Sequence, residues 1–131
     1  MTKTVLITGA AHRIGRAVAL GLAEDSWKVI IHYSNSGQAA NELAQNITEK
    51  GGNAATLQAN LADALETASL ISRAVEIAGP LSALINNASV FERDEVTTLS
   101  DDSWDMHLNV NLKAPAILMR DFAKQAQAGS N

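Results

Sequence analysis

Strand and helix signals alternate along the whole sequence, and this alternation limits the folds that the chain can adopt. Short runs rich in branched apolar residues start at Val5, Lys28, Ala54 and Leu81, and a helical pattern follows each of them. Such an order predicts an α/β fold with a doubly wound parallel sheet. Right-handed crossovers then place the strands in the order 3-2-1-4. We expect ligands to bind where that order reverses, at the carboxyl ends of strands 1 and 4.

The first strand ends in a glycine-containing turn that opens the first helix. Gly9 permits a tight turn, and Gly15 lets the helix lie close to the strand. The helical pattern starts at Ile14, and its apolar stripe consists of Ile14, Ala17, Val18, Gly21 and Leu22. In Rossmann-type folds such a junction presents a helix N-terminus to a phosphate. The same junction occurs in α/β proteins that bind no nucleotide, so the motif alone leaves both interpretations open.

Composition excludes several classes of protein. The 131 residues are 47% apolar, which is enough for one domain with a sizeable core. The net charge is −4 and the basic residues are scattered, so we expect no nucleic-acid or membrane partner. There is no cysteine, and the three histidines lie far apart in the sequence, so we expect no metal site. No apolar run reaches the roughly 18 residues of a membrane span, and no signal sequence is evident, which favours the cytoplasm.

Polar residues follow the two strands on either side of the reversal. Thr8 and Gly9 come after strand 1, and the stretch 86–89 (Asn-Asn-Ala-Ser) comes after strand 4. Because parallel strands end at the same edge of a sheet, we expect both segments to flank one crevice. Polar groups that leave buried strands need hydrogen-bond partners, which either a cofactor or the neighbouring backbone can supply.

Capping and breaker signals predict helices over about residues 38–50 and after Asp63. Asp63 and Glu66 have the spacing of a capping box. A last helix is predicted over 101–127, with acidic residues in its first turn.

The predicted last helix contains a proline at its centre. Pro115 has no N–H to donate to the carbonyl of Asn111, four residues earlier. We therefore expect a kink and a free carbonyl at Asn111. Residues 108–119 are apolar on nearly every side, so one face of this helix packs on the sheet and another is free for a partner.

Four short motifs span most of the chain. They are Thr8-Gly9-x-x-x-Arg13-Ile14-Gly15, Asn60-Leu61-x-Asp63, Asn86-Asn87-Ala88 and Asn109-Val110-Asn111-Leu112. In order and spacing they resemble the short-chain dehydrogenase/reductase family. Arg13 and Ser89 stand where the family usually has glycines, and both replacements resemble the pteridine reductase branch. Two further stretches also resemble that branch, namely His32-Tyr33-Ser34 and Asn111-Leu112-Lys113-Ala114-Pro115.

The resemblance implies roles for individual residues. Arg13, Ser89 and Phe91 would line a pterin site, with Phe91 stacking on the flat heterocycle. Asn111 would be catalytic, because the matching backbone carbonyl in the family holds a water in a proton relay. The implied cofactor-binding residues are Gly9, Arg13, Ile14, Gly15, His32, Tyr33, Ser34, Asn35, Ser36, Asn60, Leu61, Asn87, Ala88 and Ser89.

Each of these roles has a structural alternative. Phe91 could be a loop anchor that packs on the core, and Arg13 a solvated side chain in the first helical turn. The carbonyl of Asn111 could meet a water that takes no part in catalysis. His12 and His107 are interpreted as surface residues or as supports for residues of the site.

The end of strand 2 indicates which dinucleotide is bound. An enzyme that prefers NAD normally has an acidic residue there, which binds the ribose 2′-hydroxyl. The stretch 32–36 (His-Tyr-Ser-Asn-Ser) has none, and Arg13 can pair with a 2′-phosphate, so we expect NADP(H) rather than NAD(H). Asn60 stands where the family usually has an aspartate, but its amide oxygen can still accept a hydrogen bond from the adenine amino group.

The implied function is an NADPH-dependent oxidoreductase that transfers hydride to a pterin or dihydropterin. A related carbonyl reductase, such as one acting on 3-oxoacyl thioesters, is one alternative. A catalytically inert nucleotide-binding or dimerisation module is another. In the family the acid–base residue is the tyrosine of a Tyr-x-x-x-Lys motif. Here the only tyrosine is Tyr33, and no lysine follows it at that spacing.

Residues 1–131 are therefore interpreted as an NADP(H)-binding Rossmann domain, the N-terminal half of a longer reductase, inactive by itself and without its C-terminal strands. Without a fifth strand, strand 4 would leave an open sheet edge. The expected partners are a small-molecule substrate, the missing C-terminal half, and further copies of the protein that dock on helix 101–127 to form a dimer or tetramer.

Overall fold

The computed structural model describes residues 2–131, which form a parallel β-sheet with helices on both faces. The strands are β1 (Thr4–Ile7), β2 (Lys28–Tyr33), β3 (Asn53–Gln58) and β4 (Ala83–Ile85). The helices are α1 (Arg13–Glu24), α2 (Gly37–Glu49), α3 (Ala64–Ala78), α4 (Asp101–Leu108) and α5 (Ala114–Gln125), with a π-helical segment (Asn109–Lys113) between the last two.

The strands of the sheet have the order β3-β2-β1-β4, which confirms the order predicted from the alternation of elements. β1 pairs in parallel with β2 and β4, and β2 pairs in parallel with β3. Leu6, near the middle of β1, lies opposite Ile30 on one side and Leu84 on the other. The order reverses between β1 and β4, so the carboxyl ends of these two strands border one crevice.

Each face of the sheet packs against its own pair of helices. Successive side chains of a strand point to opposite faces. Leu6 and Ile30 pack with α3 and α5, whereas Val5, Ile7 and Val29 pack with α1 and α2. All five side chains are fully buried, and burial of each contributes about 1.5–3 kcal/mol to folding. The central strands are therefore the most firmly held part of the molecule, and the site lies at their ends.

Only part of the apolar stripe predicted for α1 faces the core: Val18 and Leu22 are partly buried against it, whereas Ile14, Ala17 and Gly21 are exposed. Its fully buried residues are Gly15 and Ala19, whereas Ile14 is 71% exposed. The reason is the short distance between α1 and β1. Gly15 must face the strand, because a Cβ at that position would lie 2.6 Å from the carbonyl oxygen of Gly9. Consecutive helical residues are about 100° apart, so Ile14 cannot face the core as well.

The cap of α3 differs from a reciprocal capping box. The Asp63 carboxylate accepts from the N–H groups of Leu65 and Glu66, at 2.8 and 3.0 Å, as predicted for the first half of the box. Glu66, however, accepts from the N–H of Asn60 at 2.7 Å, because the N–H of Asp63 already donates to the Asn60 carbonyl. The carboxylate of Glu66 thus ties the start of α3 to Asn60, the second residue after β3.

The helix predicted over 101–127 is interrupted near its proline. α4 ends at Leu108, and Pro115 lies in the first turn of α5, where a missing N–H is tolerated. Between them, the N–H of Ala114 donates to the carbonyl of Asn109, five residues back, as in a π-helix. The sequence predicted a kink in one continuous helix; the structure instead places a π-helical segment, Asn109–Lys113, just before Pro115.

The outer edge of β4 contacts residues near the end of the chain. The N–H of Asn131 donates to the Ser82 carbonyl at 2.8 Å, and the N–H of Leu84 donates to the Asn131 carbonyl at 2.9 Å. Two such bonds are the pattern of a parallel strand pair. β4 is shorter than predicted because Leu81 lies outside the ladder, where Gln125 binds both its N–H and its carbonyl.

Within residues 2–131, no helix combines the length and the apolar character that crossing a membrane requires. The cytoplasmic location expected from the sequence stays a prediction.

Candidate cofactor and substrate site

A cavity of about 610 Å³ opens at the carboxyl ends of the strands, where the strand order reverses. Its volume lies within the range of small-molecule sites. Thirteen of the predicted site residues line it, namely Gly9, Arg13, Ile14, His32, Tyr33, Ser34, Asn35, Ser36, Asn60, Leu61, Asn87, Ala88 and Ser89. Gly15, Phe91 and Asn111, which were also predicted, lie outside this lining. The remaining wall consists of Ala11, His12, Ala62, Val90, Met106 and Val110.

Side-chain hydrogen bonds join the ends of β1 and β4. The Thr8 hydroxyl accepts from the N–H groups of Asn87 and Ala88, both at 3.0 Å. The Asn87 amide donates in return to the carbonyls of Thr8 and Gly9, at 3.0 and 3.1 Å. We call these four residues the β1–β4 junction. Their polar groups bind one another, so Asn87 shapes the cavity through the backbone of its neighbours.

Two glycines leave room for this junction. Gly9 has a φ of +62°, and a Cβ on it would lie 2.9 Å from the Cα of Ala88. A Cβ on Gly15 would lie 2.6 Å from both the Asn87 amide nitrogen and the Gly9 carbonyl oxygen. Real Cβ atoms do not come so close to other heavy atoms, because interiors are already close-packed. Gly15 therefore acts beneath the site, which explains its absence from the cavity wall.

Arg13 adopts a backbone conformation that usually requires glycine. Its φ is +52°, in the left-handed region, which costs a residue with a Cβ about 1–3 kcal/mol. Its side chain is exposed at the start of α1, and within residues 2–131 it forms no ion pair or side-chain hydrogen bond. A strained residue with an unpaired guanidinium at a helix N-terminus is suited to binding an anion.

His32 lies beneath the glycine turn, and its ring holds three segments together. Its side chain is 1% exposed. Its Nδ1 accepts from the N–H of Gly9 at 3.1 Å, so Nε2 carries the proton and donates to the Ala59 carbonyl at 2.9 Å. Burial lowers the pKa of His32 below its ordinary value, although the hydrogen bond to Ala59 acts in the opposite direction. The sequence contained one signal of this role, a single polar residue in a run of buried strand residues.

The end of β2 carries hydroxyl and amide groups without a carboxylate. Ser34, Asn35 and Ser36 line the cavity, and the first turn of α2 contains no acidic residue. The Ser36 side chain does not cap α2, so the backbone N–H groups in the first turn of α2 remain free to donate to a ligand. An anion placed here would meet the positive end of the helix dipole.

Asn60 is already engaged within its own turn. Its amide oxygen accepts from the N–H of Ala62 at 3.0 Å. A hydrogen bond from an adenine amino group would therefore use the second lone pair of that oxygen. The expected contact with adenine stays a prediction.

Asn111 binds the loop that follows β4. Its amide nitrogen donates to the Val90 carbonyl at 2.9 Å, and its amide oxygen accepts from the Val90 N–H at 2.8 Å. The side chain thus copies the pairing of a neighbouring strand. This contact places the backbone of Asn111 next to the cavity wall at Val90 and Val110. Sequence reasoning had considered only the carbonyl of Asn111 and missed its side chain.

Phe91 and His107 lie side by side at the rim of the site. Phe91 is 86% exposed, and its ring meets that of His107 edge to face, with centroids 6.3 Å apart. The alternative that Phe91 is an anchor packed on the core is therefore wrong. Its role toward a substrate stays a prediction.

Comparison with known proteins assigns the chain to a family. The sequence profile described as short chain dehydrogenase matches residues 3–131, and the chain therefore belongs to the short-chain dehydrogenase/reductase family. The general part of the resemblance is thereby confirmed, whereas the pteridine reductase branch is not specifically shown.

Individual relatives have different names. The 3-oxoacyl-[acyl-carrier-protein] reductase FabG of Staphylococcus aureus is 37% identical over 113 residues, which are 86% of this chain and 46% of that protein. FolM alternative dihydrofolate reductase 1 from Brucella canis, solved in complex with NADP, superposes with a TM-score of 0.90 at 38% identity over 96% of this chain and 50% of that one. A short chain dehydrogenase from Burkholderia cenocepacia, also in complex with NADP, has a TM-score of 0.94 at 33% identity over 98% of this chain and 52% of that one.

The chain spans about half the length of these relatives. What they share with it is the half that contains the β1–β4 junction and the cavity.

Proposed function

We propose that the chain is the NADP(H)-binding part of a reductase that passes hydride to a pterin or dihydropterin. One observation carries the cofactor assignment. The protein has 14 acidic residues and a net charge of −4, yet none of the residues that line the cavity is acidic, and one of them is Arg13. An acid-free wall with an unpaired arginine suits a ligand with several phosphates.

The groups around the cavity fit the parts of this cofactor. The N-terminus of α1, with Gly9, would bind the pyrophosphate, and Arg13 would pair with the 2′-phosphate. Ser34 to Ser36 and the uncapped N-terminus of α2 would receive the 2′-phosphate, since no carboxylate repels it there. The relatives solved with NADP support this choice over NAD. When bound, the nicotinamide supplies hydride, and the residues of this chain orient its ring toward the substrate.

The pterin assignment rests on residues at the opposite rim. Ser89 lines the cavity and Phe91 presents an exposed ring beside it, which suits stacking on a flat heterocycle. The likeness to a protein named as an alternative dihydrofolate reductase supports a pteridine substrate. The likeness to a 3-oxoacyl reductase supports the second candidate, a carbonyl reductase. Phe91→Ala separates them, because stacking on Phe91 matters to a pterin and not to an acyl thioester.

We further propose that residues 1–131 are the N-terminal half of a longer reductase and are inactive alone. Two facts support this: the relatives are about twice as long, and Asn131 already pairs with β4 as a next parallel strand would. The interrupted helix, residues 101–125, exposes four large apolar side chains, namely Trp104, Leu108, Leu112 and Met119. Such a surface suits a dimer or tetramer interface. The acid–base group of the reaction would come from outside this chain.

Fluorescence titration with NADPH and NADH tests the cofactor assignment. We expect NADPH to bind more tightly than NADH, and Arg13→Ala to weaken NADPH binding by about tenfold through loss of one charged contact. Arg16→Ala is the matched control, because Arg16 is exposed in the same helix but lies outside the cavity wall. Equal affinity for the two dinucleotides would contradict the assignment.

NADPH oxidation tests the substrate assignment. The longer reductase should turn over dihydrobiopterin, and Phe91→Ala should reduce that turnover while the 131-residue chain shows none. Turnover of an acetoacetyl thioester that Phe91→Ala leaves unchanged would favour the carbonyl reductase instead.

A further inference from the structure

Three polar contacts connect the loop after β4 to the interrupted helix, and they share one spacing. Val90 binds Asn111, the N–H of Glu92 donates to His107 at 2.9 Å, and Asp94 accepts from the Ser103 hydroxyl at 2.9 Å. The loop positions are two residues apart and the helix positions are four apart. Two residues of extended chain span about 6.6 Å and four helical residues about 6 Å, so the two spacings match. Residues 89–95, which we call the clamped loop, thus run antiparallel along the helix.

His107 is the middle contact, and its ring is held on both sides. Its Nδ1 lies 2.7 Å from the Ser103 carbonyl and must carry the proton, which leaves Nε2 free to accept from Glu92. Of the three helix residues that bind the loop, His107 is the one whose ring packs edge to face against the ring of Phe91. Phe91 is 86% exposed, so little else restrains it.

We propose that His107 is a positioning residue that holds Phe91 in place for a flat heteroaromatic ligand at the cavity rim. The proposal rests on the pterin assignment made above. By binding Glu92, His107 fixes the register of the clamped loop along the helix. Val90 and Glu92 then face the helix, and the alternate residues Ser89 and Phe91 remain available to the ligand. Without the acceptor at position 107, the loop would keep its contacts at both ends but lose the one beside Phe91.

A double-mutant cycle with biopterin as the probe tests this inference. In the NADP⁺-saturated protein, His107→Ala should weaken biopterin binding by about tenfold, the effect of one lost hydrogen bond with its ring contact. His107→Gln, which keeps an acceptor, should restore part of the affinity. In a Phe91→Ala background, His107→Ala should have no further effect, because the two residues act as one unit. The affinity for NADPH should change by less than about twofold in all variants.

Thr98→Val is the matched control. The Thr98 hydroxyl lies just beyond the clamped loop and accepts from the N–H of Glu95 without binding the helix, so its loss should leave biopterin affinity unchanged. Hydrogen exchange at the Glu92 amide reports the hydrogen bond from Glu92 to His107. The exchange should accelerate in His107→Ala and remain unchanged in Thr98→Val. The inference is overturned if biopterin binds and His107→Ala has no effect, or has the same effect in the Phe91→Ala background. If NADPH binds but biopterin does not, the pterin assignment fails together with this inference, whereas failure to bind NADPH removes the proposed function itself.

Discussion

The two rims of the cavity are held in different ways. The β1–β4 junction follows the buried strand β1 and the partly buried strand β4, and its hydrogen bonds of 3.0 to 3.1 Å leave no space for a Cβ on Gly9 or Gly15. The clamped loop is exposed from Phe91 onward and depends on three polar contacts with one helix. Changes at the junction should therefore alter the stability of the whole fold. Changes in the loop should alter ligand binding and leave the fold nearly unchanged, which lets substrate choice vary on a constant cofactor site.

The largest expected effect breaks the junction. Gly15→Ala places a Cβ 2.6 Å from the Gly9 carbonyl and the Asn87 amide, so we expect the free energy of unfolding to fall by about 3 kcal/mol. Urea denaturation measures it. Gly21→Ala in the same helix is the control: a Cβ there has no neighbour within 4 Å, and the change should raise stability by about 0.5–1 kcal/mol. Similar losses for both variants would show that helix α1 tolerates no substitution anywhere, contrary to our account.

Removing a single hydroxyl sharpens the comparison. Thr8→Val leaves the N–H groups of Asn87 and Ala88 without their acceptor in a half-buried place, which should lower the free energy of unfolding by about 2 kcal/mol. Thr98→Val in the exposed loop should change it by less than about 0.5 kcal/mol. Both variants lose a threonine hydroxyl that accepts a backbone N–H, so the difference measures the environment. If thermal unfolding gave comparable losses for Thr8→Val and Thr98→Val, the proposed difference between the junction and the loop would be wrong.

Acid should weaken the junction through His32. Its folded-state pKa is lowered by burial from the ordinary 6.5, so the unfolded chain binds the proton more readily. The stabilisation is complete above pH 6.5 and is lost as the pH falls below it toward the folded-state pKa, with a slope of up to about 1.4 kcal/mol per pH unit. His32→Gln should remove this contribution to the pH dependence of unfolding. A pH profile of unfolding that is insensitive to His32→Gln would count against the role assigned to that ring.

The smallest expected effect concerns a residue under strain. Arg13→Gly relieves about 1–3 kcal/mol of left-handed backbone strain. The greater conformational entropy of glycine in the unfolded chain offsets about 0.5–1 kcal/mol of this gain, so the free energy of unfolding should rise by about 1 kcal/mol. NADPH affinity should fall at the same time, because the guanidinium is gone. Opposite signs in the urea and titration experiments would identify Arg13 as retained for binding. A loss of stability would show that its side chain supports the fold.

Much of the architecture was predictable because it depends on local patterns. Apolar runs interrupted by glycine and proline specified the strands, and the right-handed crossover rule then required the order β3-β2-β1-β4. The convergence of Thr8 and Asn87 followed from that order, since neighbouring parallel strands end at one edge. The position of Ile14 in the buried stripe of α1 was predicted wrongly because its apolar character suggested burial, whereas close packing on Gly15 decided the orientation of the helix.

The sequence by itself determined the fold class, the strand order, a disturbance of the helix near Pro115 and the convergence of residues 8–9 with 86–89 at one crevice, whereas the other residues of the cavity wall were implied by the family resemblance. Those features follow from side-chain polarity and backbone geometry acting over a few residues at a time. Only the tertiary structure decided what these residues do to one another: that His32 supports the glycine turn from below, and that Asn111 and His107 hold the clamped loop. Such hydrogen bonds join positions 15 to 27 residues apart, and no local pattern specifies which distant donor will lie opposite which acceptor.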